Sequence, residues 1–132
     1  MLRDPSICRI GDSYYIAYTA GNFGTAQCFS IIRSQDLQTW TPVTSVDTSS
    51  LAPTHTWAPE LFADDNGTVT AFVSLAINGQ FKLYYSTATD SSLSSWTAVA
   101  PVSGAFAGRI CIDPHVVKAG GLYYLRDRKS VV

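Results

Sequence analysis

The chain has 132 residues, of which 9 are Lys or Arg and 10 are Asp or Glu, so its formal net charge is −1. This balance argues against electrostatic attraction to nucleic acids or anionic membranes, and neither is predicted as a partner. Hydrophobic residues make up 46% of the chain and charged residues only 14%, which excludes a disordered chain and favours a single folded domain.

Short strands that follow turn signals recur along the chain. Aromatic and β-branched residues dominate these segments, and Gly, Asn and Asp bound them, a pattern that favours strands over helices. No stretch of useful length shows a helical period of 3.6 residues. The predicted strands are residues 14–19 after Gly11-Asp12, 69–75 after the two-residue hairpin turn Asn66-Gly67, 81–86 after Asn78-Gly79, and 122–125 after Gly120-Gly121.

An acidic residue beside a proline recurs at the start of three predicted strands. These acidic residues are Asp4, Glu60 and Asp113, at spacings of 56 and 53 positions. The first two units also contain a polar loop that ends on a tryptophan, at Trp40 and Trp96, again 56 positions apart. A period in the fifties with about four short strands per unit predicts blades of a β-propeller. We therefore predict one incomplete all-β domain over residues 1–132, with blades at about 3–45 and 57–100 and a half blade at about 110–132.

Four motifs carry a resemblance to a known family. They are residues 3–7 (Arg-Asp-Pro-Ser-Ile), the Ser34-x-Asp36-Leu37-x-x-Trp40 loop, residues 57–60 (Trp-Ala-Pro-Glu) and residues 112–116 (Ile-Asp-Pro-His-Val). In this order and spacing the set resembles the N-terminal half of the family 43 glycoside hydrolases, and the related family 32 shares the Arg-Asp-Pro element. The resemblance implies a partial five-bladed propeller and inverting hydrolysis of xylosides and arabinosides, with a pentose-containing plant carbohydrate such as xylan as substrate.

The resemblance also implies roles for individual acidic residues. Asp4 matches the general base, and Asp113 matches the aspartate that orients the general acid and raises its pKa. The family's general acid is a glutamate of the fourth blade, and this sequence contains no fourth blade. Glu60 matches an element of blade two that shapes the floor of the substrate pocket. The family's metal-linked histidine also belongs to later blades, so neither a metal nor another cofactor is predicted.

Three further residues are candidates for substrate binding. Trp57 stands beside the pocket motif, and either stacking on a sugar face or core packing explains it. His55 is interpreted as a loop residue near the cleft. Arg109 could pair with nearby carboxylates or with substrate hydroxyls. Trp40 and Trp96 are interpreted as packing residues of the blades.

An incomplete propeller predicts self-association, because it leaves apolar blade faces and a strand edge uncovered. A homodimer with two-fold symmetry is the simplest arrangement. Three functions stay open: a hydrolase of the family 43 type, a non-catalytic carbohydrate-binding or self-assembling protein derived from one, and a piece of a longer enzyme. The first residues lack the pattern of a signal peptide, and the sequence leaves the compartment open.

Overall fold

The chain is described by a computed structural model for residues 2–22 and 25–127, which form three antiparallel β-sheets. The strands of the first sheet are β1 (Arg3–Ile10), β2 (Ser13–Thr19), β3 (Cys28–Ser34) and β4 (Thr41–Asp47). Those of the second are β5 (His55–Ala63), β6 (Val69–Ile77), β7 (Gln80–Thr87) and β8 (Ala100–Pro101). The third is a hairpin of β9 (Pro114–Ala119) and β10 (Leu122–Asp127). The predicted all-β class is confirmed. Between the strands of the described residues, short 3-10 helices lie at Ser49–Leu51 and Gly104–Phe106.

Two-residue turns join β1 to β2, β6 to β7 and β9 to β10, as the sequence predicts. Asn78 and Gly79 connect β6 to β7 with φ of +51° and +75°. Positive φ at both positions is the geometry of a two-residue turn whose twist matches the flanking strands. Asn66-Gly67 differs from the prediction, since β5 ends at Ala63 and β6 begins at Val69. The pair therefore belongs to a five-residue loop, which the N–H of Asp64 closes by donating to the carbonyl of Thr68 at 2.8 Å.

The two polar loops that end on tryptophan share a leucine with positive φ three positions before the tryptophan. Leu37 and Leu93 hold corresponding positions and have φ of +61° and +58°. Asp36 Oδ1 accepts hydrogen bonds from the backbone of Gln38 and Thr39 at 2.9 and 2.7 Å. These bonds favour the ionised carboxylate and hold the pKa of Asp36 at about 2.

A single hydrophobic core joins the first two sheets. Strands of period two place alternate side chains on one face of each sheet, and these faces meet. Phe29 of the first sheet is fully buried and meets the ring of Trp96 edge to face, with the centroids 6.4 Å apart. Trp96 thus packs between sheets, in keeping with its interpretation as a packing residue. The buried members of this core are Tyr15, Ala17, Phe29, Ile31, Val46, Leu61, Val69, Ala71, Val73, Leu75, Leu93 and Val99.

The first strands of the three sheets lie next to one another. Strand β1 contacts β5, and β5 contacts β9. Each four-stranded sheet then runs outward in sequence order, with every strand paired to its neighbours in the chain. This arrangement brings the beginnings of β1, β5 and β9 to one place, where the acidic motifs lie.

Candidate active site

In or just before the first strand of each sheet lies a residue in an unusual backbone conformation. Asp4, Ala58 and Asp113 have φ of +46°, +48° and +55°, and each directly precedes a proline. A residue before proline is normally extended, and positive φ in an L-residue costs about 1–2 kcal/mol. Strained positions of this kind cluster at functional sites. We call these three residues the head residues.

The head residues revise the register of the internal repeat. They are spaced by 54 and 55 positions, a more regular interval than that between the acidic residues. Glu60 is therefore not the counterpart of Asp4 and Asp113, although the sequence pattern groups the three. It lies two positions beyond its head residue, and its counterparts in the other sheets are Ser6 and His115.

The three heads line one cavity of about 210 Å³. Asp4, Glu60 and Asp113 all belong to its lining; Asp4 and Glu60 lie in β1 and β5, and Asp113 directly precedes β9. The remaining lining residues are Pro5, Ser6, Ala58, Pro59 and Pro114. The structure thus brings together the acidic residues that the sequence singled out, because the first strands of the three sheets, β1, β5 and β9, lie side by side.

Hydrogen bonds from the neighbouring strand β2 fix the first carboxylate. The hydroxyl of Thr19 donates to Oδ2 of Asp4 at 3.1 Å, and the side chain of Thr19 is buried. A hydrogen bond to a carboxylate is charge-assisted and stronger than one between neutral groups, so this contact favours one orientation of the Asp4 side chain. Asp113 is held through its backbone, because its N–H donates to Oγ of Ser74 at 3.1 Å.

Glu60 forms a close pair with a residue of the next sheet. Its Oε1 lies 2.7 Å from Nδ1 of His115, and the Glu60 side chain is only 15% exposed. Sequence reasoning assigned no partner to His115. Glu60 and His115 both lie two residues beyond a head residue. This equivalence can be recognised in the sequence only after the head residues have been identified.

The other predicted binding residues lie outside the set that lines the cavity. The ring of Trp57 packs on Phe81 with centroids 4.6 Å apart, and His55 meets Trp57 edge to face at 5.2 Å. The Arg109 guanidinium lies 5.7 Å from the ring centre of Phe106. Trp57 is half-buried and directly precedes a head residue, so the His55–Trp57–Phe81 cluster adjoins the cavity wall through the chain.

A polar clamp fastens the β9–β10 hairpin, and with it Asp113, to the second sheet. Lys118 Nζ lies 2.5 Å from Oδ1 of Asp64 and 3.0 Å from Oδ2 of Asp65, and the hydroxyl of Tyr123 donates to the other Asp64 oxygen. The hydrogen bonds from Lys118 and Tyr123 hold the pKa of Asp64 at about 2. The same contacts raise the pKa of Lys118. Sequence reasoning missed the clamp, because its members lie more than 50 positions apart and belong to no motif.

A larger and more apolar cavity, of about 560 Å³, lies between the second sheet and the hairpin. Its walls include Phe62, Phe72, Phe106, Tyr123 and Tyr124. It carries one of the clamp carboxylates, Asp64, and none of the three acids of the smaller cavity. Of the two, the smaller cavity is therefore the one lined by the three acidic residues that the sequence singled out.

Two other kinds of site have no candidate in the described part of the chain. Residues 2–22 and 25–127 contain no group of three or more His, Cys, Asp or Glu side chains placed to hold a metal ion. Over the same residues, no helix has the length and apolar character needed to cross a bilayer.

Comparison with known proteins gives a consistent result. The model of the glycosyl hydrolases family 43 matches residues 1–130. No curated protein sequence matches the chain. Among solved structures, the arabinanase of Bacillus subtilis is 21% identical with a TM-score of 0.69, and 95% of this chain covers 47% of that one.

Two further structures show the same likeness. The endo-arabinase of Bacteroides thetaiotaomicron is 19% identical with a TM-score of 0.74, and 94% of this chain covers 44% of it. The α-L-arabinofuranosidase of Lactobacillus brevis is 17% identical with a TM-score of 0.71, and 94% of this chain covers 43% of it. The chain thus spans less than half the length of these three structures, and the predicted fold class, a partial five-bladed propeller, is confirmed.

Proposed function

The chain belongs to family 43 of the glycoside hydrolases, and we propose that it supplies the base side of an inverting acid/base site for pentose-containing glycans. The observation that carries this proposal is the cavity shared by Asp4, Glu60 and Asp113. Inverting glycosidases need carboxyl groups on opposite sides of the scissile bond. Three carboxyl groups from three separate strands around one cavity are a suitable arrangement for that chemistry.

Asp4 is proposed as the general base. In inverting hydrolysis the base takes a proton from water while the water oxygen forms a bond to the anomeric carbon. The bond from that carbon to the leaving oxygen breaks at the same time, and a general acid protonates the leaving oxygen. The bond from Thr19 orients the Asp4 carboxylate for this task. The acid is not among Asp4, Glu60 and Asp113, since the family resemblance assigns it to a glutamate of a fourth blade.

Asp113 and Glu60 are proposed to complete the wall that faces the sugar. Asp113 lines the same cavity as Asp4 and is proposed to take the family role of orienting the general acid. Glu60, held by His115, is proposed to accept hydrogen bonds from sugar hydroxyls. Trp57 and His55 extend this surface with aromatic faces suited to the apolar side of a pentose ring. Arg109 is proposed to contact substrate hydroxyls at the periphery.

Carbohydrate binding without turnover is the second candidate function. It is supported by the same cavity, because the residues that line it are those proposed to position water and sugar, whereas the resemblance assigns the proton donor to a fourth blade. The third possibility, a piece of a longer enzyme, fits the lengths of the matched structures. In both cases the described residues would bind the sugar, and only the source of the acid differs.

One experiment separates these functions. The purified chain is given nitrophenyl arabinofuranoside and nitrophenyl xyloside, and its affinity for arabino- and xylo-oligosaccharides is measured by calorimetry. Nitrophenol release that falls by about 10²–10⁴-fold in Asp4→Asn supports the hydrolase. Binding without release supports the second or third function, and absence of both contradicts the site. Asp12→Asn is the matched control, because Asp12 lies exposed in the turn at the far end of β1.

Self-association is proposed for the exposed apolar side chains. Ile110, Leu122 and Ile7 are 67%, 61% and 57% exposed. Side chains of this type are normally covered in a propeller by the neighbouring blade. We propose that a second copy of the chain covers them in solution, as a homodimer.

A further inference from the structure

A buried hydroxyl in each of the first two sheets holds the head residue of the next sheet. Oγ1 of Thr19 accepts the N–H of Ala58 at 2.9 Å, and Oγ of Ser74 accepts the N–H of Asp113 at 3.1 Å. The two hydroxyls are structurally equivalent. Thr19 pairs with Arg3 and Ser74 pairs with Trp57, each of which directly precedes a head residue.

Thr19 makes a second hydrogen bond, to the side chain of the head residue of its own sheet, and Ser74 makes no equivalent bond to Ala58. A hydroxyl carries one donor and two acceptor positions. Thr19 accepts from the head of the second sheet and donates to Oδ2 of Asp4, the head of its own sheet. The head of the second sheet is Ala58, which offers no side-chain acceptor to Ser74. One oxygen atom of Thr19 therefore connects the first carboxylate to the backbone of the neighbouring blade.

Burial makes these bonds difficult to replace. Thr19 is 3% exposed and Ser74 is fully buried, so water has little access to the two hydroxyls themselves, whereas Asp4 is an exposed residue. Removing a buried partner leaves the other group without its hydrogen bond, which costs more than the bond itself contributes. Bonds that share one oxygen also polarise each other, so the donor to Asp4 is strengthened by the bond from Ala58.

We propose that Thr19 and Ser74 are positioning residues of the candidate active site. Thr19 sets the rotamer of the Asp4 carboxylate and couples it to the second sheet, and Ser74 sets the backbone that carries Asp113. This proposal rests on the proposed function, in which Asp4 and Asp113 act on the sugar. It adds that the site is held by contacts from each blade to the next.

The test compares Thr19→Val, which keeps the shape and removes the hydroxyl, with Thr19→Ser, which keeps the hydroxyl. Amide exchange at Ala58 and the carboxyl carbon resonance of Asp4 are followed by NMR, and oligosaccharide affinity by calorimetry. Thr19→Val is expected to raise exchange at Ala58 by about tenfold or more and to shift the Asp4 resonance. Thr19→Ser is expected to restore both, and affinity is expected to follow the same order.

Thr48→Val is the matched control. Thr48 is also fully buried, and its hydroxyl contacts that of Thr56 at 3.1 Å instead of a head residue. The proposal is overturned if Thr19→Val changes the Ala58 amide and the Asp4 resonance no more than Thr48→Val does. If Thr19→Val does not fold, Ser74→Ala is read at the Asp113 amide, where unchanged exchange overturns the proposal.

The proposed function and this inference fail in different ways. A wild-type chain that binds no oligosaccharide contradicts the proposed function, while the exchange data still decide whether the hydroxyls hold the heads. Bound sugar with an unchanged Asp4 resonance in Thr19→Val contradicts the positioning role alone.

Discussion

Replacing Phe29 tests whether the first two sheets share one core. Its side chain is fully buried, lies opposite Thr19 in the β2–β3 ladder, and meets Trp96 of the second sheet. Loss of a buried aromatic ring costs about 3–5 kcal/mol, since both the transfer energy and the remaining cavity count. Phe29→Leu keeps part of the volume and should cost about 1–2 kcal/mol.

Urea unfolding followed by tryptophan fluorescence measures these losses. Domains of this size are stable by about 5–15 kcal/mol, so Phe29→Ala removes a large share of the total. Leu37→Ala is the control: Leu37 is 50% exposed and should change stability by less than about 0.5 kcal/mol. A loss below about 1 kcal/mol for Phe29→Ala would refute the shared core, and so would equal effects of Phe29→Ala and Leu37→Ala.

Three further predictions concern the clamp, a turn and the exposed faces. The lowered pKa of Asp64 means that its contribution to stability is present above about pH 4 and is lost as the pH falls toward 2. The free energy of unfolding in urea should therefore change less between pH 7 and pH 3 in Asp64→Asn than in the wild type. An equal change in both proteins would contradict the clamp. Gly79→Ala should lower the free energy of unfolding in urea by about 1–2 kcal/mol, because φ at this position is +75°. No atom lies near the added methyl group, so the loss comes from the backbone conformation alone. An unchanged free energy of unfolding would mean that the turn has another conformation. Light scattering should report a dimer that Leu122→Ser weakens, and a monomer that persists at high protein concentration would contradict self-association.

Local signals predicted the strands that the structure has as β2, β6, β7 and β10 but did not single out β3, β4 or β8, and three of the four turn signals lie in two-residue turns. Asn78-Gly79 and Gly120-Gly121 act through their own backbone preferences, which need no tertiary context. Asn66-Gly67 carries the same signal, yet the strands end earlier and the pair lies in a longer loop. Strand ends depend on pairing and burial as well as on turn residues, so this difference is not readable from the dipeptide.

The acidic residues of the candidate site were also found from the sequence, but their equivalence was assigned incorrectly. Acidity aligned Glu60 with Asp4 and Asp113, whereas backbone conformation aligns Ala58 with them. The head residues share a positive φ and a following proline, and the backbones of Ala58 and Asp113 each donate to a hydroxyl of the preceding sheet; none of these features depends on a carboxyl group. The Glu60–His115 pair was missed for a related reason: it depends on how two neighbouring sheets are rotated relative to each other.

The direction of the contacts suggests which part of the chemistry this chain can support. Thr19 holds the head of the second sheet, Ser74 holds that of the third, and Glu60 pairs forward with His115. Each of these links joins one sheet to the next along the chain, so contacts among the described residues help to hold the backbones of Ala58 and Asp113. In the proposed function the proton donor belongs to a fourth blade, whereas the described residues form the wall that is proposed to bind the sugar. We therefore expect oligosaccharide affinity to be retained in the chain on its own even where nitrophenol release is absent; loss of both, with the Ala58 amide still protected, would show that the ordered wall is not sufficient to bind sugar.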